Sequence, residues 1–245
     1  RAMALTGVPV ASVAVLEGYG VLTGIAGQEQ RARALDVFER MYSPAIGAGA
    51  TMDYLGRTGL DALKGADILK TAADSYTSTI EYAETGIAQS LRGMAQVIFK
   101  GLGTRVLYTS QGGYDTHANQ VSVQTPLLSD LSAGIGDFFA DLSEHDAADN
   151  VMMLVFTEFG RRVKDNGSGS DHGSGGGCYL IGQPVKGGTL GDYPSLKEED
   201  QLDGDLHFNV DFRRVYSTIV DKWLGLDART AIGGNYETLD FVRSN

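Results

Sequence analysis

Cysteine occurs once in the 245 residues, at Cys178. No disulfide can form within the chain, which excludes a disulfide-stapled scaffold but leaves the compartment open. Cys178 opens the apolar run CYLIG and reads as a small core residue of a buried strand, not as a nucleophile. Basic residues are also scarce, 20 against 31 acidic ones, for a net charge of −11. A field of that sign repels nucleic acid and anionic lipid, and no run of Lys and Arg offers a local exception. No apolar segment is long enough to span a bilayer. VPVASVAVL near the start is too short and lacks the flanking regions of a signal peptide. The chain opens on Arg1 and not on Met, so the expectation is a processed product or part of a longer protein. Nucleophile elbow, Walker loop, dinucleotide fingerprint and Cys-x-x-Cys pair are all missing.

What is present is ordinary globular composition, 42% hydrophobic and 21% charged. With no internal repeat and no clear boundary, residues 1–245 read as a single domain with a substantial core. Residues 27–42 carry helical periodicity, followed by Pro44 as a stop. AIGAGATMDYLGRTG reads as a loop. Two helices are expected between Leu60 and Lys100, the second with Ile87, Leu91, Met94, Ala95 and Ile98 on one stripe. A long helix after residue 120 places Leu127, Leu128, Leu131, Ile135, Phe138, Phe139 and Leu142 on one face. Near the end, Phe212, Val215, Tyr216, Ile219, Val220, Trp223 and Leu224 recur at helical spacing and predict a core-facing helix stopped by Gly225. VKGGTLGDYPSL reads as a turn-rich excursion or hairpin.

TRVLYTS (104–110), NVMMLVFTEF (150–159) and CYLIG read as buried strands. Strand, helix, strand in that order predicts a parallel sheet with a right-handed crossover. Ligands of such sheets sit outside the carboxyl ends of the strands. GGYDTH and TEFGR both fall at such ends and are expected to share one rim.

The four histidines are His117, His145, His172 and His207. Asp115 and His117 lie two apart in a Gly-rich loop, so an extended backbone turns both to one side and toward one divalent ion. Asp171 and His172 are adjacent and point apart, so one ligates while the other orients a neighbour or binds a second ion. Glu158 closes an apolar strand, where a carboxylate must be paired, protonated or bound to a cation; Arg161 and Arg162 offer the salt-bridge alternative. NGSGSDHGSGGG has linker composition, yet its central Asp-His pair favours an ordered or metal-ordered loop. His145 sits at a helix end among charges and reads as a solvated structural group. His207, in DGDLHFN, reads as a surface turn.

The succession GGYDTHANQ, TEFGRRVKDNGSGSDHG, VKGG, LGDYPSL, DGDL and DFRRVYSTIVDKWLG resembles the bacterial family named Domain of Unknown Function 1501, placed in the alkaline-phosphatase-like superfamily. That resemblance implies an α/β fold, a three-layer sandwich with a largely parallel central sheet and helices on both faces. It also implies divalent metal ions (zinc, calcium or manganese), with Asp115, His117 and His172 holding one ion. Glu158 would resemble a ligand of a second ion, where related phosphatases carry an Asp-His pair. Asp171 would serve as a ligand or a support, and Arg161 would bind the substrate anion or support ligands. The implied activity is metal-dependent hydrolysis of a phosphate or sulfate ester, small or polymer-borne. The alternative is a non-catalytic exported protein that keeps the fold and works by binding or assembly. Members usually begin with a twin-arginine export signal and a first strand ending in a Gly-Gly-Asn-Asp-Gly-like motif, which supplies the nucleophile region. The chain shows neither, so the resemblance implies a periplasmic or secreted protein whose domain is N-terminally incomplete here.

Overall fold

A computed structural model describes residues 28–43, 46–47, 49–54, 56, 75–101 and 103–243. Pro44 and the first of the two helices expected after Leu60 lie outside the described residues. The chain divides into two compact units, one drawing on residues up to Gln111 and on Asp130–His145, the other on Gly112–Ser129 and residues from Asp146 onward.

In the first unit, α1 spans Gln28–Tyr42. Its surface carries i,i+4 pairs, Arg33 to Glu29 at 2.7 Å and Arg40 to Asp36 at 2.8 Å, while Val37 and Met41 remain exposed. Within AIGAGATMDYLGRTG, residues 50–54 form a helical turn where a loop was expected. Helix α2 spans Gly86–Phe99 and starts where the Thr85 side chain accepts from the Ala88 N–H. Four of the five expected stripe residues, Ile87, Leu91, Met94 and Ala95, are buried, with Ala88 and Val97 beside them, while Ile98 is half-buried.

Helix α3 runs Gln120–Glu144 with Pro126 inside it, and contributes residues to both units. In the first unit, Phe138 and Leu142 are buried. Gly134 lets α3 approach α2 closely, because a Cβ there would sit 3.3 Å from the Ala88 Cα.

The second unit holds two small antiparallel ladders. Strand β1 (Met153–Val155) pairs with β4 (Tyr179–Ile181), Met153 opposite Ile181. Strand β2 (Gly160–Asp165) pairs with β3 (Ser170–Gly173) as a hairpin with an irregular register between Arg161 and Asp165. After them come α4 (Phe212–Thr218), capped by Asp211, a π-helical turn over Ile219–Trp223, and α5 (Ala228–Ile232), capped by Asp227. Gly225 ends the α4 run in the left-handed region, at φ 63°, and the Leu226 N–H reaches back to the Val220 carbonyl. The buried face of this helix differs from the expected one: Val215, Ser217 and Thr218 are inside and Phe212 is exposed. Phe241 is fully buried, and its strand-like neighbour Val242 bridges to Val185.

This architecture overturns the expected α/β three-layer sandwich. Among the described residues the protein is helical with two 2-stranded antiparallel sheets and no large parallel one. Residues 104–110 join neither ladder, and Val106 and Tyr108 are exposed, so the strand–helix–strand crossover has no first strand. The run 150–159 yields three strand residues before Phe156 turns outward. Between β1 and β4 the chain makes only the β2–β3 hairpin, a connection without a crossover helix that suits antiparallel pairing. Cys178 is exposed rather than core. VKGGTLGDYPSL forms no hairpin strands.

The expected stripe of α3 therefore splits in its energetics. Leu142→Ala is expected to lower stability by about 2–5 kcal/mol, because Leu142 is fully buried. Leu128→Ala, at a position 53% exposed, is expected to stay within about 0.5 kcal/mol. Denaturant unfolding of the two variants measures the contrast.

Candidate metal centre

The site lies within the second unit and is built from two segments. The first is the Gly-rich stretch that leads into α3. The second is the β2–β3 hairpin. Asp115 and His117 come from the first segment and His172 from β3. The donor atoms of these three residues all lie within 4.8 Å of one another. Asp115 Oδ1 is 2.6 Å from His172 Nε2 and 3.0 Å from His117 Nε2. The two imidazoles stand 4.9 Å apart between ring centres.

Asp171 faces a different atom. Its Oδ1 accepts from His117 Nδ1 at 3.1 Å, and Asn166 Nδ2 donates to the same oxygen at 3.2 Å and to the His117 carbonyl at 3.0 Å. A carboxylate on Nδ1 leaves Nε2, which faces Asp115 at 3.0 Å, as the nitrogen that would ligate an ion. Asp171 and His172, adjacent on β3, meet different partners of one cluster: Asp171 meets His117 Nδ1 and His172 meets Asp115. The hydrogen bond from His172 holds the Asp115 carboxyl below its ordinary range. Those from His117 and then Asn166 do the same for Asp171.

Backbone packing sets the hairpin's position. Gly160 and Gly173 are opposite each other in the register. A Cβ on Gly160 would fall 1.8 Å from the Gly175 carbonyl oxygen, and one on Gly173 would fall 2.5 Å from the Arg161 backbone carbon. Arg161 ties the two segments together, donating to the Ser170 carbonyl and to the Tyr114 carbonyl, both at 2.5 Å. Gln124 donates to Thr116 Oγ1 at 2.9 Å, and Ser170 Oγ donates to Gln120 Oε1 at 2.8 Å. The Phe159 ring stacks on His172 at 3.8 Å, 8° from parallel, and the Arg161 guanidinium lies 5.1 Å from the other ring position of that stack, the Phe159 centroid.

Of the residues singled out in the sequence, Asp115, His117, His172 and Asp171 come together. Glu158 does not. It is exposed on the loop between β1 and β2 and belongs to no donor cluster among the described residues. Exposure removes the reason for which a cation was expected there, since a solvated carboxylate needs no partner. Arg161 meets backbone carbonyls. Sequence reasoning missed Asn166, hidden in an Asn-Gly turn signal, and Phe159, read only as a strand residue.

The donor set suits one divalent ion with an open position: two imidazole nitrogens, one carboxylate oxygen, all exposed. A tetrahedral ion with ligands about 2.0–2.1 Å away spaces its donors roughly 3.3 Å apart. The Asp115 oxygen therefore has to withdraw by less than about 1 Å, and donors up to 4.8 Å apart have to close by up to about 1.5 Å, shifts that exposed side chains can make.

Gly160→Ala is expected to cost at least about 1–3 kcal/mol through backbone collision and to pull His172 away from Asp115, although no ligand is changed. Chemical-shift perturbation at His172, with denaturant unfolding, reads both effects.

The family model described as Protein of unknown function (DUF1501) matches residues 53–236. No curated protein matches the chain, and neither does any solved structure.

Proposed function

The chain belongs to that family, and from this premise we propose that Asp115, His117 and His172 hold one divalent metal ion for the hydrolysis of a phosphate or sulfate ester. The observation that carries the reading is the convergence of those three donor atoms, with Asp171 seated on the far nitrogen of His117. Two imidazoles and one carboxylate favour zinc or manganese over calcium, which prefers six to eight oxygens. Such an ion, once bound, polarises an ester oxygen and draws a nucleophile from water at neutral pH.

The chain's own residues have separate parts in this reading. Asp115 supplies the anionic donor. His117 and His172 supply neutral nitrogens. Asp171 positions His117 from behind, and Asn166 positions Asp171. Arg161 acts as a tether of the site segments, since its guanidinium is occupied by the Ser170 and Tyr114 carbonyls. Glu158 has no part in the ligand set. No described helix is long and apolar enough to cross a membrane.

Elemental analysis of protein purified without chelator tests the proposal. Near-stoichiometric zinc or manganese is expected in the wild type, and none in His117→Ala or His172→Ala. Asp171→Asn is expected to weaken affinity by about 10–100-fold without abolishing binding. Hydrolysis of phosphate and sulfate monoesters by the metal-loaded full chain then tests the activity. A wild type without metal, with folded variants, contradicts the proposal and leaves the cluster as an ion-free hydrogen-bonded set.

A further inference from the structure

A second histidine network lies in the first unit, with no residue in common with the metal reading. Asp141 on α3 is completely buried. Its Oδ2 accepts from Tyr76 Oη at 2.5 Å and from Tyr82 Oη at 2.8 Å. Its Oδ1 accepts no hydrogen bond, and beside it lies His145, whose Nδ1 is 3.2 Å away.

The two ring nitrogens of His145 face oxygens that can only accept. Nδ1 is 2.9 Å from the Asp141 carbonyl, and Nε2 is 2.9 Å from the Thr77 carbonyl. A nitrogen without its proton offers a lone pair, which a carbonyl cannot use. Both contacts are hydrogen bonds only when both nitrogens carry protons, that is, in the imidazolium form. The Phe99 ring of α2 stacks on the His145 ring at 4.0 Å. The other charged or titratable groups around the network are Asp137 and Glu144 on α3, Tyr76 and Tyr82 in the 75–82 segment, and Arg92 on α2, which lies over the Tyr76 ring at 5.8 Å. Glu144 completes the attachment: it accepts from the Thr79 N–H at 3.0 Å and from the Thr79 hydroxyl.

We propose that His145 is a proton-operated clamp: its imidazolium fastens residues 75–82 to the C-terminal turn of α3, and loss of one proton releases them. Release follows from two costs at once. One nitrogen would turn a lone pair on a carbonyl, and the buried Asp141 carboxylate would lose its counter-charge. The hydrogen bond to the Asp141 carbonyl, then that to the Thr77 carbonyl, raises the His145 pKa above its ordinary 6.5, against an opposing effect of burial. A raised folded-state value means that the clamp's stabilisation is complete below pH 6.5 and is lost as pH climbs through the raised value. Burial, followed by the hydrogen bond to Asp141, pushes Tyr76 up to about 12, so tyrosine ionisation does not compete in that range.

Nitrogen-15 NMR of the wild-type full chain tests the clamp directly. Both His145 nitrogens are expected to be protonated at pH 6, with a titration midpoint above 6.5. The Thr79 amide, corrected for intrinsic exchange, is expected to lose protection by about tenfold or more across that midpoint. In His145→Gln, which cannot change charge, that step should disappear. An unprotonated nitrogen at pH 6, or a titration that leaves Thr79 protection unchanged, overturns the proposal. The wild-type titration decides the matter even where the variant does not fold.

Discussion

One carboxylate oxygen, Asp115 Oδ1, is approached by imidazoles from two segments of the second unit, and the rest of the candidate site exists to keep that meeting possible. Asp115 and His172 are 57 positions apart. Loop closure over such a span is entropically unfavourable, so the convergence has to be held by other contacts. Arg161 supplies the main tether, bonding to a carbonyl in each segment. Asn166 bonds likewise to Asp171 and to the His117 carbonyl. The facing glycines at 160 and 173 let the hairpin backbones approach where side chains would collide. Few of these supports are apolar. The site is placed by directional hydrogen bonds and by steric permission more than by burial.

The same residue types give a different result in the first unit. Asp141 and His145 form a carboxylate–imidazole pair, but the carboxylate is buried and both imidazole nitrogens meet carbonyls. Asp141 Oδ1 accepts no hydrogen bond and faces His145 Nδ1 at 3.2 Å, and the network is closed in on itself, so the pair serves cohesion. Around Asp115 the side chains are more than 40% exposed and the Nε2 atoms point at one another's neighbourhood. Exposure and shared direction, and not residue identity, mark that cluster as a place for a ligand.

Much of the site was legible in the sequence for simple reasons. A spacing of two was expected to bring Asp115 and His117 to one ion, and their side chains meet at 3.0 Å; Asp171 and His172 were expected to point apart, yet both reach the same cluster, through His117 and Asp115. Helix α2 was legible because five apolar positions at helical spacing leave little choice. The sheet was not. NVMMLVFTEF and CYLIG are apolar throughout, and an unbroken apolar run carries no information about the direction of its partner. TRVLYTS has strand-like residues but no ladder. Glu158 was misjudged because its burial was inferred from the run before it, whereas Phe156 and Thr157 already face solvent. His145 was expected to be solvated, since its partner Thr77 lies 68 positions away and no local pattern announces such a contact.

A single ion held by Asp115, His117 and His172 would carry a spectroscopic signature of its own ligands. X-ray absorption spectroscopy at the zinc edge, on the full chain loaded with one equivalent of zinc, addresses it most directly. Multiple scattering from two imidazoles is expected, together with oxygen ligands at about 2.0–2.1 Å, and loss of one imidazole in His172→Ala. A shell of water oxygens without imidazole, or one containing sulfur from Cys178, would contradict such a site.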